Sequence, residues 1–210
     1  MSDPHRNAPV RHAGAPLETA RAAVVLLHGR GATAEGMLPL ADELGFADLA
    51  YLAPQAAGRT WYPYSFLAPL EQNEPHLSSA LGAVGAVVAA IEAAGKGAGR
   101  IALIGFSQGA CLALEFAARH ARRYGAVIGW TGGLIGPDGA PRDYEGSLDG
   151  TPVFLGSSDV DAHVPLARVE ESAEILRRLG GEVELRVYKG MAHTVDPDEL
   201  AWARDLLREL

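Results

Sequence analysis

The chain has 210 residues, 48% of them hydrophobic and 21% charged, with a formal net charge of −8. This is the composition of one soluble globular domain with a full core, taken as residues 1–210, and nothing forces a second. The acidic balance argues against a nucleic-acid binder and gives no support for stable association with an anionic membrane.

The amino-terminal residues, MSDPHRNAPVRHAGAP, lack a basic start followed by an apolar run, so no signal peptide is expected. Val10–Thr19 is expected to form a hairpin leading into the first strand. Ala22–Leu27 is short, apolar and β-branched, as a strand buried on both faces should be. A glycine-spaced loop, "LLHGRGAT", overlaps its end, and a helix is expected over Ala34–Leu44. Leu49–Ala53 is the second buried strand. Gly58–Pro75 then breaks the rhythm with four aromatic residues and three prolines. A long helix is expected over His76–Ala94. The longest apolar stretch, Leu81–Ala94, is interrupted by Glu92 and too short to span a bilayer. Further strands are expected at Arg100–Ile104, Ala126–Trp130, Pro152–Leu155 and Glu182–Tyr188, with helices at Gln108–Ala121, Pro165–Leu179 and Pro197–Glu209. Gly132–Gly150, rich in Gly, Pro and Asp, is expected to be a polar surface excursion. Alternation of this kind predicts a mostly parallel sheet covered by helices on both faces.

Gly105-Phe106-Ser107-Gln108-Gly109 joins a buried strand directly to a helix. In that context Gly-x-Ser-x-Gly is a nucleophile elbow: a tight, strained turn that exposes the serine at the carboxyl edge of the sheet. A side chain at either glycine would collide with the neighbouring strand and helix. The free N–H groups at the start of the helix favour negative charge developing beside the serine.

A serine hydroxyl is a poor nucleophile until a base takes its proton. The chain order Ser, Asp/Glu, His then demands a later histidine. Only His120, His163 and His193 follow Ser107. His120 closes the elbow's own helix and reads as structural. His193 lies between the last strand and the last helix, at the same sheet edge as Ser107, and is the expected base. The acid belongs in "GSSDVDAHVP", where Asp159 and Asp161 both qualify and spacing alone does not separate them. The residue after the serine, Gln108, offers one backbone N–H to an oxyanion, and the LLHGRGAT loop offers another. His28 in that loop reads as a hydrogen-bonded packing residue. The loop lacks the spacing of a dinucleotide site and has no Gly-Lys-Ser/Thr.

Cys111 is the only cysteine, which excludes an intrachain disulfide or a Cys-type zinc cluster and fits a reducing, cytoplasmic setting. It reads as core. Glu92, Glu115 and the Glu170-Glu171 pair read as solvated or locally paired helix charges. No metal-ligand cluster is apparent, and no cofactor is implied.

The pieces "LLHGRGAT", "LAPQ", "IGFSQGACLAL", "WTGGL", "DVDAHVP" and "GMAHTV" resemble, in this order, the phospholipase/carboxylesterase family. These are compact α/β-hydrolases without a separate cap domain, and they include acyl-protein thioesterases. The resemblance implies Ser107 as nucleophile, His193 as base and, through the family's Asp-x-x-Val-Pro pattern, Asp161 as acid. It implies the amides of Arg30 and Gln108 as the oxyanion hole. Arg30-Gly31-Ala32 and Trp61-Tyr62-Pro63 depart from the Leu-Gly-Asp and Trp-Phe-Asp of eukaryotic thioesterases. That departure favours a bacterial-type esterase acting on small molecules.

The expected activity is hydrolysis of short- to medium-chain carboxylic esters by a monomer or homodimer. The alternatives are an acyl-protein thioesterase or lysophospholipase and, remotely, a non-catalytic binding protein of the same fold. Trp61, Tyr62, Tyr64, Phe66 and Leu67 are the expected walls of the substrate pocket.

Overall fold

The computed structural model describes residues 3–210. Seven strands form one sheet: β1 (Val10–Gly14), β2 (Ala22–Leu27), β3 (Leu49–Pro54), β4 (Ile101–Phe106), β5 (Ala126–Trp130), β6 (Pro152–Ser158) and β7 (Glu182–Tyr188). Their spatial order is β1-β3-β2-β4-β5-β6-β7. β1 runs antiparallel to β3, and every other pair is parallel. Helices α1 (Ala34–Met37), α2 (Pro39–Leu44), α3 (His76–Ala93), α4 (Gln108–Arg119), α5 (Leu166–Arg178) and α6 (Pro197–Arg208) complete the chain.

Period-two alternation builds a core on each side of the sheet. Ala23, Val25, Leu27, Ile101 and Leu103 face α3, α4 and α5. Ala22, Val24, Leu26, Ala102 and Ile104 face α1, α2 and α6. β2 and β3 are buried along their whole length because strands and helices enclose them from both sides.

The chain steps outward from β2 to β3, then crosses back through α3 to β4 on the other side of β2. This reversal opens a crevice at the carboxyl ends of β2 and β4, the preferred ligand position in open α/β sheets. The loop after β2 and the elbow after β4 therefore meet there.

The structure departs from several expectations. Val10–Thr19 is not a hairpin onto β2. β1 ends at Gly14 and pairs with β3 instead, and a side chain at Gly14 (φ +73°) would strike the Leu49 carbonyl. Ala34–Leu44 divides into two helices at Leu38, because Pro39 has no N–H to continue the first and suits the opening position of the second. β7 is only half covered, since it is an edge strand with one neighbour.

At 18 residues, α3, which extends beyond the apolar stretch Leu81–Ala94, is long and apolar enough to cross a membrane by length and composition only. Here its Leu77, Val84, Val88 and Ile91 pack into the core.

Gly132–Gly150 is not simply a polar excursion. Thr131–Gly136 is buried, with the Ile135 N–H donating to Glu115 (2.9 Å) and the Leu134 N–H to Ser172 Oγ (2.8 Å). The buried Arg168 guanidinium donates to the Leu134 carbonyl (3.1 Å). Glu115 is correspondingly a buried anchor, paired with Arg119 at 2.6 Å, rather than a solvated helix charge.

Candidate active site

The elbow is set by backbone approach. Ser107 adopts φ 54°, ψ −118°, which an L-residue holds only when its surroundings impose it. Its N–H donates to the Trp130 carbonyl of the neighbouring strand (2.9 Å). A Cβ at Gly105 would lie 2.2 Å from the Gly109 carbonyl oxygen, and one at Gly109 would lie 2.0 Å from that of Leu27. Both obstacles are backbone, so neither position admits a side chain. Ser107 makes no cap hydrogen bond with its hydroxyl, although it precedes α4.

That hydroxyl meets His193 instead, with Oγ 2.8 Å from Nε2. His193 Nδ1 is 2.6 Å from Asp161 Oδ2. Asp161 Oδ1 accepts the N–H groups of His163 (2.7 Å) and Val164 (2.8 Å), which fixes the carboxylate plane. Burial pushes the Asp161 carboxyl up. The His193 hydrogen bond and the two N–H donors outweigh it and hold the group below the ordinary carboxylate range. Phe106 and His163 flank the imidazole, with ring centroids 5.0 and 4.9 Å away.

Asp159 is separate from this array: its Oδ1 accepts the Gly190 N–H (2.8 Å), tying the β6 loop to the loop that carries His193. His120 packs on Phe116, one turn back along α4. His28 is fully buried, and its Nε2 accepts the Ala56 N–H (3.0 Å).

The Ser107–His193 pair opens into a cavity of about 480 Å³. Tyr62, Tyr64, Phe66 and Arg30 line it. Trp61 and Leu67 do not. Trp61 is fully buried and donates Nε1–H to the His28 carbonyl (2.9 Å), while Leu67 packs against the core. The aromatic loop thus divides its side chains between wall and core.

Cys111 is buried in the core, as the sequence reads it, and also borders the cavity. Its position four residues after Ser107 on one helix was the available signal, since that spacing shares a face. Burial pushes its thiol up to about 12, so it stays neutral and contributes shape. Arg30, His163 and His193 are the charged or chargeable nitrogen side chains of the lining, and no carboxylate joins them.

The two backbone N–H groups assigned to an oxyanion lie on the Gly29–Gly31 loop and at the first residue of α4. Among the described residues, neither Arg30 nor Gln108 spends its N–H on a protein acceptor. Gly29 brings the first loop against the elbow: a Cβ there would lie 3.5 Å from Ser107 Cβ. No cluster of three or more metal-ligating side chains occurs among the described residues.

The sheet order, the strand–elbow–helix unit and the helices on both faces define an α/β-hydrolase fold. The family model for phospholipase/carboxylesterase matches residues 14–210, and the chain belongs to that family. A phospholipase/carboxylesterase structure from Dyadobacter fermentans is 46% identical, covering 96% of this chain and 97% of that one, with a TM-score of 0.93. The structure of esterase PE8 is 28% identical, with 96% and 97% covered and a TM-score of 0.78. Among curated relatives, acyl-protein thioesterase 1 of Saccharomyces cerevisiae is 34% identical over 48% of this chain and 45% of its own length. That of Gibberella zeae is 32% identical over 52% of this chain and 48% of its own. The chain spans about half the length of these two relatives.

Proposed function

We propose that this protein is a serine carboxylesterase that hydrolyses short- to medium-chain esters of small molecules through an acyl-serine intermediate. The observation that carries the reading is the unbroken hydrogen-bonded path from Ser107 Oγ through His193 to Asp161 beside an aromatic-walled cavity.

In this reading Ser107 Oγ adds to the ester carbonyl carbon while His193 Nε2 takes its proton. Asp161 keeps the Nδ1–H directed at itself and stabilises the imidazolium that forms. The tetrahedral oxyanion is held by the N–H groups of Arg30 and Gln108, the latter at the positive end of α4. His193 then returns the proton to the leaving alkoxide as the C–O bond breaks. A water activated by the same imidazole attacks the acyl-serine, frees the carboxylic acid and restores the hydroxyl. The cycle needs no metal or cofactor.

Ser107→Ala tests the reading, because it removes one oxygen and leaves the turn. Ester turnover should fall by on the order of 10⁴-fold or more, and labelling by a fluorophosphonate should vanish, with the melting temperature kept. A folded variant with near-normal turnover would refute the mechanism.

Acyl-protein thioesterase or lysophospholipase activity is the second reading. The curated relatives bearing the thioesterase name favour it. Against it stands a cavity of about 480 Å³ on whose wall Arg30 is pinned to the Pro63 and Tyr64 carbonyls.

A further inference from the structure

The segment from Arg59 to Ser65 touches both the loop and the helix start that bear the assigned amides, and it does so mainly through side chains with no part in the bond-making steps. The Arg30 guanidinium donates from Nη1 to the Pro63 carbonyl (2.9 Å) and from Nη2 to the Tyr64 carbonyl (2.7 Å). Gly31, next to it, donates its N–H to the Arg59 carbonyl (2.8 Å). On the other side Gln108 Oε1 accepts the Trp61 N–H (2.9 Å) and the Thr60 hydroxyl (3.2 Å). Its Nε2 donates to the Tyr62 carbonyl (2.9 Å). The segment itself is anchored from below by the fully buried Asn73, which accepts the Tyr64 N–H (2.9 Å) and donates to the Ser65 carbonyl (3.0 Å).

We infer that the side chains of Arg30 and Gln108 are positioning residues, bracing both halves of the oxyanion hole on the same segment that walls the pocket. This rests on the esterase reading. The physical reason lies in the loops themselves. Arg30 stands between two glycines on a loop whose ties to the facing segment are the Gly31 N–H to the Arg59 carbonyl and its own guanidinium to Pro63 and Tyr64. The elbow already fixes the Gln108 N–H, and the Gln108 side chain holds the facing segment against it. An oxyanion donor works only when it is aimed before charge develops. A forked guanidinium holding two consecutive carbonyls fixes orientation as well as distance, which a point-charge ammonium does not. The wall then cannot shift without moving the oxyanion hole. Contact of the acyl chain with Tyr64 and Phe66 is thereby coupled to the rate of the chemical step.

The donors are backbone groups, which every substitution keeps. Arg30→Met, Arg30→Lys and Gln108→Met would be assayed with a butyrate ester and with a trifluoromethyl ketone, whose adduct with Ser107 carries an oxyanion. Losing an oxyanion donor outright costs about 10²- to 10³-fold in kcat. Misaiming one should cost roughly 10- to 50-fold, with KM changed less than about threefold. Ketone affinity should fall in parallel with kcat/KM. Arg30→Lys should resemble Arg30→Met, and Arg30→Met combined with Gln108→Met should lose less than the product of the single losses.

Arg30 is exposed, so its variants fold even if Gln108→Met does not. An Arg30→Met enzyme with kcat within twofold of wild type and unchanged ketone affinity overturns the inference, as does full rescue by Arg30→Lys, which would make the charge and not the fork responsible. Wild-type turnover and Ser107-dependent fluorophosphonate labelling report on the esterase reading separately.

Discussion

The cavity has two sides that are held in different ways. On the sheet side, Ser107, Asp161 and His193 stand at the ends of β4, β6 and β7, and the elbow is locked by contacts of backbone with backbone. On the facing side, Arg59–Ser65 belongs to neither sheet nor long helix and is held by the side chains of Arg30, Gln108 and Asn73. The first kind of order follows from chain geometry and tolerates no change of residue size. The second is assembled from distant polar side chains and can be loosened by steps. In the esterase reading, chemistry sits on the rigid side and substrate shape on the adjustable one.

The largest expected effect separates the two aspartates on the rigid side. Asp161→Asn should lower kcat by on the order of 10⁴-fold through loss of the correct imidazole tautomer and charge. Asp159→Asn should cost about tenfold or less, because it only weakens a loop tie to Gly190. The Asp161 loss should be the same for butyrate and octanoate esters. A strong dependence on acyl length would mean that the sheet side also shapes the pocket.

Glycine replacements contrast the two sides directly. Gly109→Ala forces a Cβ to 2.0 Å from a main-chain oxygen, so it should cost about 3 kcal/mol or more in urea unfolding, or prevent folding. Gly58→Ala meets no atom within 4 Å and suffers only its φ of +60°, so about 1–2 kcal/mol is expected. Equal costs at the two positions would erase the distinction.

The helix that follows His193 gives a pH-dependent measure of rigidity. Glu199 accepts the Asp196 N–H (2.7 Å) as part of the capping box of α6 and fits only because residue 156 is glycine. Burial raises its carboxyl from 4.5 to about 7. The Asp196 N–H opposes this, while the charges of Asp196 and Asp198 add to it; Tyr188 of β7 lies close enough to feel the Glu199 charge, and Arg186 pairs with Asp198. A raised carboxyl favours the folded state in its protonated form, so this stabilisation is complete below about pH 4.5 and is lost as pH rises through 7. The neutral Glu199→Gln should therefore gain on wild type by on the order of 2–3 kcal/mol between pH 4.5 and 8, read by thermal unfolding. A constant difference across that range would show that Glu199 does not titrate within it.

The smallest effect concerns the adjustable side. Each methylene that finds apolar cover contributes about 0.8 kcal/mol, so kcat/KM should rise with acyl length while the cavity lasts. It should peak at roughly four to six carbons and fall about tenfold by twelve, as longer chains project into water. A steady rise through palmitoyl esters would favour the thioesterase or lysophospholipase reading and would require the Arg30 tie to open.

The amino-acid sequence by itself determined the elements whose causes are local. Apolar runs of strand length marked β2 to β7, and Gly-x-Ser-x-Gly marked the turn after β4, because only glycine can flank a backbone contact of that closeness. The order of Ser107, Asp161 and His193, read through a family resemblance, named the side chains that the fold brings into line. Tertiary structure decided what depends on partners far along the chain. It buried Trp61 under the Gly29–Gly31 loop and left Tyr64 exposed on the cavity wall, which nearby aromatic letters cannot distinguish. It paired β1 with β3, buried Glu115, Arg168 and Glu199, and recruited Asn73 to hold Tyr64 and Ser65. Local pattern reports which residues prefer cover or a turn. A buried polar group is stable only where its partner waits, and that partner is chosen by the folded chain.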